Sequence, residues 1–75
     1  MNEAVSVLLG RGLREARLRA GLGHAQVADT ACLSPEAYVR IERGKLMPSQ
    51  HMLQRLCRAL RISADWLHRD SSAHH

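Results

Sequence analysis

No run of apolar residues in this sequence approaches the ~20 needed to span a bilayer. The longest near the N-terminus is AVSVLL, so no membrane segment is expected. Cysteine is scarce as well. Cys32 and Cys57 are the only two, they make neither a disulfide framework nor a metal-ligand spacing, and no signal peptide precedes them. A reducing cytoplasm is the expected location. His24, His51 and His68 are not set four apart on one helix, and no metal site is expected. No nucleophile is paired with a base and no glycine loop could cradle a nucleotide phosphate, which argues against an enzyme and against a bound cofactor. No stretch alternates with period two and no segment repeats, so neither strands nor a repeat array are expected.

Acidic residues are outnumbered, 7 Asp+Glu against 11 Lys+Arg, giving a formal net charge of +4 and a sequence pI near 10.0. Such a chain attracts polyanions, nucleic acid first. All but one of the cations are Arg, whose planar fork suits phosphates and guanines better than the ammonium of Lys. Excess charge also serves solubility alone, and composition does not separate the two readings. At 75 residues there is room for one small domain, expected over residues 1–70, with the polar Ser-Ser-Ala-His-His of residues 71–75 as a frayed tail. A domain of this size buries only about 60% of its unfolded surface and gains from a partner subunit, so a homodimer is expected.

What is present is helical periodicity. Leu9, Leu13, Ala16 and Ala20 recur at helical spacings while Arg11, Arg14 and Arg19 fall on other faces. This predicts a first helix from about Glu3 or Leu8 to Ala20, weakened by Gly10 and Gly12 and stopped at Gly21. A second helix is predicted from His24 to Ala31, with Val27, Ala28 and Ala31 inward. After a turn at Cys32-Leu33, Ser34-Pro35-Glu36 supplies a hydroxyl N-cap, a proline at the first helical position and an acid near the positive end of the dipole. A third helix therefore runs from Pro35 to Arg43, stopped by Gly44. A fourth, Ser49 to Leu60, carries Met52, Leu53, Leu56, Cys57 and Leu60 on one stripe. A short fifth, Ala64 to His68, follows a Ser63 cap. Cys57 reads as a small core residue, and Tyr38 as core with its hydroxyl reaching the rim.

Two short helices joined by a tight turn, the second opening with a cap, form a helix-turn-helix arrangement. The run GLGHAQVADTACLSPEAYVRIERGKLMPS, continued by SQHMLQRLCRALRISADWL, resembles the Cro and phage-repressor-like family, also called the xenobiotic-response-element family. The most specific pieces are Leu-Arg-Glu-Ala-Arg at residues 13–17, Arg-Ile-Glu-Arg-Gly at 40–44 with Pro48 beyond, and Ile-Ser-Ala-Asp-Trp-Leu at 62–67. The resemblance implies a compact all-α, five-helix, lambda-repressor-like domain that binds double-stranded operator DNA as a dimer. It also implies that Arg17 pairs with Glu42, tying the first helix to the third. Two departures stand out. His24 occupies the position where the family commonly has a phosphate-gripping glutamine, and Cys32 stands where the turn usually carries a left-handed glycine.

Matching the family's reading positions gives Pro35, Glu36, Ala37, Val39 and Arg40 as the residues that face base edges, with His24, Gln26 and Ser34 beside them. Arg40, Arg43 and Lys45 suit guanine edges or phosphates, and also suit a solvated basic face. Pro35, Ala37 and Val39 offer apolar contact to a thymine methyl. Glu36 either accepts from cytosine N4 or only complements the helix dipole. Trp66 and Leu67, with Met47 and Met52 toward the same side, are candidates for a dimer contact, although Trp66 could equally cap the core. The expected function is a sequence-specific transcriptional regulator, a repressor by occlusion, acting as a homodimer with its third helix in the major groove. The alternative is an antitoxin-like or adaptor module that keeps the fold and meets a protein partner through Pro35, Ala37 and Val39.

Overall fold

The computed structural model describes residues 2–62, with side chains from residue 5 onward. Four helices occur in chain order: α1 (Asn2–Ala20), α2 (His24–Thr30), α3 (Pro35–Glu42) and α4 (Gln50–Leu60). No strand occurs among the described residues. The predicted fifth helix, with Trp66 and Leu67, lies outside them. Boundaries differ from the sequence reading mostly by one residue, because Ala31, Arg43 and Ser49 are caps rather than helical positions. Of the two starts expected for α1, the structure takes the earlier one: the helix begins at Asn2, one residue before Glu3, and runs through both Gly10 and Gly12.

Gly10 is tolerated there for a packing reason that propensity does not register. A Cβ at Gly10 would collide with the backbone carbonyl oxygens of Ile41 and Glu42, so only glycine lets α1 press onto the last turn of α3. Nearby, Ser6 Oγ donates to the Gly44 carbonyl at 3.1 Å.

All four helices end in the same way. In each, the residue after the C-cap region donates back across the last turn in the six-to-one pattern of a Schellman motif: Leu22 to Arg17, Leu33 to Ala28, Lys45 to Arg40 and Ile62 to Cys57. The left-handed residue is glycine in two cases, Gly21 and Gly44, but Cys32 (φ 61°) and Arg61 (φ 58°) in the others. Cys32 thus adopts the conformation of the glycine it replaces rather than reshaping the turn. Non-glycine residues adopt it at a cost of roughly 1–2 kcal/mol.

The core forms where α1, α2, α3 and α4 converge. Leu13, Val27, Ala28, Ala31, Tyr38, Ile41 and Leu56 are fully buried, with Leu60 almost so. Leu9, Ala16, Leu33 and Leu46 pack around them. Cys57 is buried in this core, and burial pushes its thiol pKa up, as fits a packing residue. Ala20 is exposed instead of buried, because the inward stripe of α1 is completed by Arg17. α3 packs on α1 and α2, leaving its opposite face free to present the candidate site.

Candidate nucleic-acid interface

The outward presentation of α3 is set by local chemistry at its start. Ser34 Oγ accepts the Ala37 N–H at 3.1 Å, and Pro35 fills the first helical position, where no amide hydrogen is needed. Glu36 follows in the first turn and forms no ion pair among the described residues. Pro35, Glu36, Val39 and Arg40 border one open groove on the exposed face. Arg43 and Lys45 are exposed at the C-terminal end of the helix. Ala37 does not border the groove; it is half-buried, turned toward the flank of the helix.

α2 is held at its start by Gln26, whose Oε1 accepts the Gly23 N–H at 2.8 Å. Gln26 and Ser34 therefore both use side-chain oxygens as caps, while the Gln26 amide hydrogens and the Ser34 hydroxyl hydrogen remain available to donate.

At its C-terminal end α3 takes part in a buried ionic cluster. Arg17 Nε donates to Glu42 Oε2 at 2.7 Å, its Nη2 reaches Oε1 at 3.5 Å, and its Nη1 donates to the Leu22 carbonyl at 2.9 Å. The two side chains are 8% and 4% exposed. On the other side, His24 Nε2 approaches Glu42 Oε1 at 3.1 Å, and its ring lies 6.0 Å from that of Tyr38. One carboxylate thus joins α1, α2 and α3. Burial by itself pushes the Glu42 carboxyl up, but the Arg17 hydrogen bond and charge, with Tyr38 and His24 beside it, outweigh burial and hold the carboxyl below its ordinary range.

Tyr38 does not reach the rim as the sequence suggested. Its side chain is fully buried, and no hydrogen bond of good geometry reaches its hydroxyl among the described residues. Burial first, then the neighbouring Glu42 carboxylate, raises its pKa strongly, so it stays a neutral phenol. The contact between His24 and Glu42 was not foreseen. Its only signal in the sequence was that His24 replaces a residue that braces the reading helix in the resembling family. Among the described residues, no group of His, Cys, Asp and Glu is arranged to hold a metal ion, and no helix is long and apolar enough to cross a membrane.

A helix-turn-helix family model matches residues 13–67. The chain belongs to the Cro/C1-type helix-turn-helix family. Solved members of similar structure are regulators. The restriction-modification controller protein C.AhdI from Aeromonas hydrophila superimposes with a TM-score of 0.82 at 31% identity, over 87% of this chain and 94% of that one. The clp gene regulator ClgR from Corynebacterium glutamicum gives a TM-score of 0.82 at 26% identity, over 92% of this chain and 88% of that one. No curated sequence matches the chain. As a Cro/C1-type helix-turn-helix protein, the chain falls in the DNA-binding, transcription-regulating class.

Proposed function

We propose that the protein is a sequence-specific repressor that binds operator DNA as a homodimer, with α3 in the major groove. The observation that carries this reading is the exposed face of α3, where Pro35, Glu36, Val39 and Arg40 border a groove on the helix that the Arg17–Glu42 pair ties to α1. Arg40 reads a guanine edge, and Pro35, Val39 and the edge of Ala37 meet thymine methyls. His24, the free hydrogens of Gln26 and Ser34, and the exposed Arg43 and Lys45 grip phosphates and fix the register. A domain of residues 1–70, followed by the tail of residues 71–75, works in the cytoplasm without catalysis or cofactor. Two copies meeting through Trp66 and Leu67 would set their reading helices one DNA turn apart, ~34 Å, and occlude a promoter.

The apolar share of the same face supports a second reading, an antitoxin-like or adaptor module whose partner is a protein. Salt separates the two. Each neutralised phosphate releases counterions, so affinity for duplex DNA falls steeply as salt rises, with a log–log slope of about −0.9 per phosphate contact. An apolar protein contact lacks that slope. Sedimentation of the chain with and without duplex DNA tests the dimer: a monomer in both conditions contradicts it.

A further inference from the structure

His24 is 45% exposed, yet its Nε2 lies 3.1 Å from Glu42 Oε1, on a carboxylate whose other oxygen is already held by Arg17. Glu42 is kept below the ordinary carboxylate range and is ionised at neutral pH. An ionised carboxylate only accepts, so the hydrogen in this contact must sit on His24 Nε2. That choice fixes the tautomer. In the neutral ring, Nδ1 is then a bare lone pair, and it has no hydrogen-bond partner among the described residues.

A phosphate oxygen is also an acceptor, and two lone pairs facing each other repel. A neutral His24 could donate to a phosphate only by giving up Glu42, and with it that polar link between α2 and α3. A doubly protonated ring has N–H groups on both sides and serves both acceptors at once. The titratable and charged groups facing the ring are Glu42 and Tyr38 from α3 and, across Glu42, Arg17 from α1. No residue of α4 forms an ion pair with it among the described residues. Arg17 and Glu42 offset each other, so a proton on His24 adds new positive charge at the junction of α2 and α3.

Resting on the DNA-binding reading above, we propose that His24 grips a DNA backbone phosphate through Nδ1 only as the imidazolium, so that DNA binding takes up one proton at this residue. The glutamine common at this position in the family carries two amide hydrogens and needs no proton for the same contact. His24 therefore converts a constitutive phosphate clamp into one that strengthens as the pH falls.

The test measures affinity for a fluorescently labelled mixed-sequence duplex by anisotropy, at fixed ionic strength, between about pH 6 and 8.5, the range that spans histidine titration and its upper side. For the wild type, affinity falls with rising pH, approaching tenfold per unit, the limit for one proton. His24→Gln removes that slope and keeps the melting temperature, since glutamine can still donate to Glu42, and at the acid end of the range its salt dependence is shallower than the wild type's by about one phosphate contact. His51→Gln, at an exposed position of α4, keeps the wild-type slope. In the free protein at the upper end of the range, long-range proton–nitrogen NMR correlations find the His24 hydrogen on Nε2. Equal pH slopes for wild type and His24→Gln, or a hydrogen on Nδ1, overturn the proposal and leave DNA binding standing. Failure of the wild type to bind the duplex at low salt at any pH overturns both.

Discussion

Arg17 and Glu42, twenty-five residues apart in sequence, meet at 2.7 Å with both side chains almost fully buried. The pair fastens the long α1 to the end of α3, and Glu42 carries His24 of α2 on its second oxygen. One carboxylate thus adds a polar link from α3 to both α1 and α2, on top of the core packing of Tyr38 and Ile41. Removing one partner leaves the other charged, buried and uncompensated, which costs more than the pair contributes.

Glu42→Ala should therefore destabilise the fold by about 3–5 kcal/mol, as breaking other buried pairs does. Thermal or denaturant melts read this directly. A midpoint within a degree or two of the wild type would show that the pair does not hold the helices together.

The same carboxylate sets an acid limit. Its folded pKa is lowered, mainly because the Arg17 hydrogen bond overcomes the opposing effect of burial. A group shifted in this direction contributes stability that is fully present above its unfolded value, ~4.3 for Glu, and is lost as pH falls through the folded value. Stability should decline below that point in the wild type. Glu42→Gln should start lower at neutral pH and decline less. Parallel declines in the two proteins would mean that another group is responsible.

Cys32 holds a left-handed backbone in the turn between α2 and α3, with its side chain in solvent. Cys32→Gly relieves that strain at the expense of some unfolded-state entropy, and should stabilise the protein by ~0.5–1 kcal/mol. A denaturant midpoint lower than that of the wild type would contradict the turn geometry.

Elements governed by neighbours in sequence were the legible ones. Ser34-Pro35-Glu36 announced α3 because capping acts over three residues, and Gly21 and Gly44 marked helix ends because left-handed residues favour glycine. The start of α1 was obscured because Gly10 and Gly12 lower helix propensity, and the compensation for Gly10 lies in α3, thirty and more residues away. The pairing of Arg17 with Glu42 followed from family resemblance, not from any local pattern. The contact from His24 to the same carboxylate and the burial of the Tyr38 hydroxyl depend on how three helices converge, and neither residue's neighbours encode that.

The central claim, that α3 reads bases, is tested most directly by selecting bound sites from random duplex DNA with the wild type, Arg40→Ala, Lys45→Ala and Glu36→Gln. Arg40→Ala should lose preference at one position of each half-site, worth ~1–3 kcal/mol of discrimination. Lys45→Ala should weaken all sequences alike and flatten the salt slope. Glu36→Gln should strengthen all sequences by removing a negative charge near phosphate, since the acid is already accounted for at the helix start. Sequence preferences identical among wild type, Arg40→Ala and Glu36→Gln, or no preference in the wild type, would contradict base reading by this helix.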